Sequence, residues 1–161
     1  MKDAINVEVA ILHQIRKNIL NIVNLYSVEA LNYVPEGFNN NLIWNAAHVV
    51  ATQQLLVYRL SGVDFVVDKK WIALFKKGTK PEAVVEETEI ETLKELLVST
   101  VETMKVDYQN DAFASFENYP TSFGIELDCV ETAISFNNVH EGMHFGYMLA
   151  LRKELIKVGL T

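Results

Sequence analysis

From Ala4 to about Leu25 the apolar residues Ile5, Val9, Leu12, Ile15, Ile19, Ile22 and Val23 recur every three or four positions, the spacing that lines one face of an α-helix. Ser27 then caps a short further turn through Tyr33. Pro35 and Gly37 break the chain, Asn39 or Asn40 offers a new cap, and Leu42 to Leu60 repeats the helical period until Ser61 and Gly62 end it. Residues 63–87 hold no sustained period and contain Trp71, Phe75, Gly78 and Pro81. They are expected to form a long connection with room for one helical turn, opened by a capping box of Thr79 and Glu82. A second such box, Thr88 with Glu91, opens a helix through Leu93, Leu96, Leu97, Val101 and Met104. Residues 107–125, with Pro120 and Gly124, read as irregular, and Asp128 with Glu131 caps a last helix that stops at Gly159.

Four long helices, with no strand and no repeat, predict an all-α fold: a four-helix bundle in one domain over residues 1–161. The short link makes the first two helices antiparallel. An extended chain covers about 3.3 Å per residue, so the crossover at 63–87 is long enough to run back along a helix. The second and third helices are then parallel, an up-down-down-up order.

Composition narrows the function. Half of the 161 residues are apolar, enough for a core without cross-links. A net charge of −7 opposes the basic surface that nucleic acid or an anionic membrane requires, so neither is expected as a partner. Cys129 is the single cysteine, which leaves no internal disulfide and no cysteine-rich zinc site and fits a reducing cytoplasm. Asp3, Glu8, His13, Arg16 and Lys17 interrupt the N-terminal segment, which has no small-residue cleavage site and does not read as a signal peptide. No apolar run approaches the roughly 20 residues of a spanning helix.

The chemistry concentrates in HEGMH at 140–144. His140 and His144 lie one turn apart on the face that carries Ala133, Phe136, Tyr147 and Leu151, while His48 shares a face with Trp44, Ala51 and Leu55. A single histidine is ordinarily a hydrogen-bonded structural residue. Three on two inward faces each need a partner or a metal, and together they point to a metal held by His48, His140 and His144. His13, beside Arg16 and Lys17, is expected at the surface or an edge.

A zinc peptidase with His-Glu-x-x-His takes its third ligand downstream. Here Tyr147 and Ala150 occupy the extended motif's glycine and third-histidine positions, and Glu154 lies nearly three turns along the same helix, beyond reach of the same ion. The third ligand is therefore sought upstream, at His48. Glu141, about 100° around the helix from His140, has three roles open to it: general base, carboxylate orienting an imidazole, or surface charge. Asn45 and Asn137 lie within a turn of the histidines, as site contacts or as hydrogen-bonded spacers. Trp44 and Tyr147 read as core and pocket wall, Trp71 and Phe75 as a lid or a dimer contact, and EETEIETLKE at 86–95 as the solvated side of its helix.

The segments NNLIWNAAHVVATQQLLVYRLSG, KKGTKPE and YPTSFGIELDCVETAISFNNVHEGMHFGYMLALRK, in this order across the chain, resemble the DinB-like superfamily of helical bundles. The resemblance implies the up-down-down-up bundle, often a homodimer, with a divalent metal such as zinc or nickel on three histidines matched here by His48, His140 and His144. Characterised relatives include S-transferases that use small thiols such as bacillithiol or mycothiol, and others are isomerases or amidohydrolase-like. The expectation is a metal-dependent enzyme, a small-thiol S-transferase or related hydrolase acting on an electrophile. The alternative is a non-catalytic helical module stabilised by metal, serving dimerisation or binding. Three imidazoles leave a coordination position open, where a cation would favour the deprotonated form of a thiol or water near neutral pH.

Overall fold

The computed structural model describes residues 2–160, and their structure is mostly helical. Helix α1 spans Lys2–Leu25 and α2 Val28–Asn32; α3 runs Leu42–Gln53 and continues as one π-helical turn over Gln54–Arg59. A short α4, Lys69–Phe75, lies in the crossover, followed by α5 at Glu87–Gln109 and α6 at Val130–Lys157. Helices α1 and α3 each pack on both α5 and α6, so the four long helices share one interior. Its larger apolar cluster gathers Ile19, Ile43, Val50, Leu93 and Leu151, and a second gathers Leu12, Val57, Tyr58, Met104 and Ile134.

Polar contacts fix which levels of the helices meet. Between α1 and α6, Ser135 donates to Glu8 (2.9 Å), Arg16 pairs with Glu141, and Arg152 donates to the Tyr26 hydroxyl (3.1 Å). Between α3 and α5, the Gln53 amide donates to the Thr100 carbonyl (3.3 Å), and beyond it the Tyr58 hydroxyl donates to Asp107 (2.8 Å). No helix among the described residues is long and apolar enough to cross a membrane.

Helix starts depart from the predicted boxes. Asn41, not Asn39 or Asn40, caps α3, its Oδ1 accepting the Trp44 amide (2.9 Å). Thr79 opens no helix: it follows α4, donating to the Lys76 carbonyl (2.8 Å), and Asp68 is the α4 cap. Helix α5 begins behind Glu86 and Glu89 in a reciprocal box, with Glu86 and Glu89 in the roles expected of Thr88 and Glu91. In α6 the box is Cys129 with Thr132, while Glu131 accepts instead from the Tyr108 hydroxyl (2.7 Å). The usual signature looks for Ser or Thr followed by Glu, and two of these helices cap with other chemistry.

The stretch read as irregular also contains a hairpin. Tyr119–Pro120 (β1) pairs antiparallel with Glu126–Leu127 (β2), in register Tyr119↔Leu127. Thr121 closes the turn by bonding Ile125 with amide and hydroxyl, and Gly124 takes a left-handed φ of +84° there. Two-residue strands carry no alternation for a pattern to reveal.

Candidate metal centre

Nearly every residue of α3 from Leu42 to Ala51 is buried, so His48 is carried into the interior at 5% exposure. Helix α6 brings His140 and His144 to the same level. Each of the three can offer a ring nitrogen such that the three atoms all lie within 4.8 Å of one another, and the ring centroids are 4.5–5.1 Å apart. The triad expected from spacing is thus assembled in space.

The protons on two of these rings follow from their partners. His48 Nδ1 lies 2.6 Å from the Phe75 carbonyl, which only accepts, so Nδ1 carries the hydrogen and Nε2 a lone pair. Asn45 Nδ2 donates to Asn40 Oδ1 (2.9 Å) and the Asn41 carbonyl (2.7 Å), which turns its Oδ1 toward His144 Nδ1 at 2.8 Å. His144 therefore also presents a bare Nε2. His140 Nε2 sits 3.3 Å from His48 Nε2, its own Nδ1 is buried without a partner, and the Thr52 hydroxyl lies 3.3 Å from His48 Nε2.

Burial keeps these rings neutral. The His140 pKa falls to about 2, through loss of solvation first and then the neighbouring charges of His144, His48 and Arg16. That of His144 falls to about 4 for the same first reason, aided by His48. Burial lowers His48 as well, against an opposing pull from its bond to Phe75. Neutral imidazoles are the form that binds metal, and the bare Nε2 atoms of His48 and His144, with His140 Nε2 3.3 Å from the former, are a set of nitrogens that one cation would satisfy. The donor set fits a divalent ion on three nitrogens.

Around the histidines the wall is aromatic. The Trp44 ring stacks on His48, with centroids 4.6 Å apart, and its Nε1 donates to Thr79 Oγ1 (3.2 Å). Trp71 and Phe75 are buried within the chain and stack on each other, so they form an interior wall rather than an exposed dimer contact. Tyr147, by contrast, stands at the surface against Phe38. Lys77 of the crossover donates to Ser122 of the hairpin (3.1 Å), and Phe123 packs on Phe136 of α6.

Glu141 is fully buried, which removes the surface-charge role. Arg16 Nε and Nη2 donate to its two oxygens (2.5 and 2.8 Å), and Asn137 Nδ2 donates to the second (2.8 Å). None of its hydrogen bonds reaches an imidazole. His13 lies at the edge as expected, paired with Glu102 across α1 and α5. Sequence reasoning missed Arg16, Thr52 and the Phe75 carbonyl. The last is a backbone atom 27 residues from its histidine, with no sequence signal.

No curated protein matches the chain. The model of one family, the DinB superfamily, does match, over residues 11–148. That span takes in His48, His140 and His144 with all of α3 and most of α6, and the chain belongs to the DinB superfamily.

Proposed function

We propose that this protein is a metal-dependent enzyme with zinc or nickel on His48, His140 and His144, most simply a transferase that joins a small thiol to an electrophilic carbon, or a related hydrolase. The observation that carries this is the convergence of neutral imidazoles, two of them held by their far nitrogens on Phe75 and Asn45. A bound divalent cation would act as a Lewis acid and make a thiolate or hydroxide available near neutral pH. In the transfer the sulfur lone pair forms the new C–S bond, the leaving group departs with its electron pair, and the thiol proton passes to solvent.

The protein's share is geometry. Phe75 and Asn45 fix the ring orientations, and Trp44 covers one face of His48. We assign Glu141 a positioning role: with both oxygens committed to Arg16, it ties the 140–144 turn to α1. Glu141→Gln is expected to lower stability and metal affinity together. A general base would instead lose turnover with stability and metal content unchanged.

The order of contacts between helices supports an up-down-down-up bundle, since partners of α1 on α6, and of α3 on α5, rise together in sequence. A homodimer in the cytoplasm completes the proposal; the lone Cys129 suits that compartment. The same histidines would also staple α3 to α6 in a module without catalysis. Elemental analysis of tag-free protein, with His48→Ala beside it, decides first. Near-stoichiometric metal lost in the variant supports the centre, and metal-free wild type after reconstitution overturns it. Metal-loaded protein that fails to conjugate any of a thiol panel to a reactive electrophile above the blank would leave the transferase untenable.

A further inference from the structure

Trp44 and Phe75 each serve two places. At the histidine centre the Trp44 ring stacks on His48 and the Phe75 carbonyl accepts its Nδ1 hydrogen; both residues also line a cavity of about 520 Å³ that none of the three histidines lines. That volume lies within the roughly 300–1,000 Å³ typical of small-molecule sites. The rest of its apolar wall is chiefly Trp71, Leu74, Val84 and Val85, from α4 and the end of the crossover. Leu74 and Val84 are 53% and 58% exposed, so a guest that covered them would take apolar surface out of water.

The polar side chains of the wall select the class of guest. Asn41 is committed as the α3 cap: its Oδ1 accepts the Trp44 amide (2.9 Å) and its Nδ2 donates to the Asn32 carbonyl (2.8 Å). Thr79 Oγ1 donates to the Lys76 carbonyl (2.8 Å) and accepts from Trp44 Nε1 (3.2 Å). Lys70 and Glu89 face each other at 3.9 Å, and the other Glu89 oxygen accepts the Glu86 amide (3.3 Å). Lys80 and Glu82 remain, outside any ion pair among the described residues, and their charges are opposite. A guest of either charge therefore meets one attractive and one repulsive group, and a guest rich in polar groups finds few side chains with bonding capacity left. An uncharged apolar body gains from the aromatic wall and loses nothing at the rim.

We propose that this cavity binds a small uncharged molecule with an apolar body, aromatic or acyl. The body lies against Trp44, Trp71 and Phe75 and covers Leu74 and Val84. The site stands whether or not the histidines hold a metal.

The protein's only two tryptophans both line the cavity, so intrinsic fluorescence reports on it directly. The test is a titration of the full chain with phenylbutanol, beside phenylbutyrate and phenylbutylamine, which carry the same body on an anionic and a cationic head. None of the three absorbs where tryptophan is excited, and calorimetry repeats each titration. Phenylbutanol is expected to give a saturable one-to-one change at least fivefold tighter than either charged counterpart and unaltered by EDTA. Leu74→Glu and Val84→Glu, at exposed wall positions, should each weaken it at least fivefold. Ile156→Glu, the same kind of change on the exposed side of α6, should leave it within twofold. Circular dichroism confirms that each variant is folded. No saturable signal, a charged counterpart that binds as tightly, loss of the signal with EDTA, or equal weakening by Ile156→Glu would overturn the proposal.

Discussion

Residues 140 and 141 are neighbours in sequence, yet they open onto two buried polar clusters built in opposite ways. On the Glu141 side, the Arg16 guanidinium spends its donors on Glu141, the Leu97 and Val49 carbonyls, Thr100 and Gln53, every one within the chain. On the His140 side, the bare Nε2 atoms of His48 and His144 are brought from two helices to one place, and the His140 Nδ1 has no partner at all. A charge pair whose donors all close within the chain is architecture. Ring nitrogens gathered on one point, with the far sides of two rings held in place, mark a place prepared for something else.

The sharpest way to break this contrast is to unpair the Glu141 side. Arg16→Met strands a buried carboxylate and is expected to lower stability by about 3–5 kcal/mol in urea unfolding, whereas adding Glu141→Leu should recover most of the loss. A single-variant loss under about 1 kcal/mol would mean that the pair is not dry.

Acid should act mainly on the open side. In metal-free protein the folded pKa values of His140 and His144 lie below the unfolded value near 6.5, so the unfolded chain takes up protons first as pH falls. Stability is therefore full above about pH 6.5 and declines below it, by up to about 1.4 kcal/mol per pH unit for each group, toward about pH 4 for His144 and lower for His140. Unfolding at pH 7 and pH 5 measures this, and replacing both histidines with Gln should flatten the difference. The smallest effect belongs to His13, whose pair with Glu102 is half open to water. His13→Ala should stay within about 0.5 kcal/mol of wild type by the same unfolding assay, and a larger loss would make this pair a third structural cluster.

Much of this was legible in the chain. Period placed the long helices, and spacing chose the three histidines that meet. Arg16 was legible too, though it went unread: Ile5, Val9, Leu12, Arg16, Ile19 and Val23 form one unbroken stripe, and its guanidinium sits where a leucine would. Glu141 holds the matching place in α6, between Ile134 and Met148. Charge misled because exposure is the usual fate of a lone charge, and nothing local to either helix shows that its partner lies 125 positions away. The caps were missed for a smaller reason. Three consecutive asparagines at 39–41 compete for one role, and only the backbone path decides which of them reaches Trp44.

The π turn at Gln54–Arg59 absorbs one more residue than an α-helix would, closing with the Val63 amide on the Tyr58 carbonyl. Deleting one residue there would restore the α-helix and rotate everything beyond it by about 100°. Tyr58 would leave Asp107, while His48, upstream, would keep its place. In evolutionary terms the helix has a joint: its distal half can change length and partners without touching the histidine that anchors the centre.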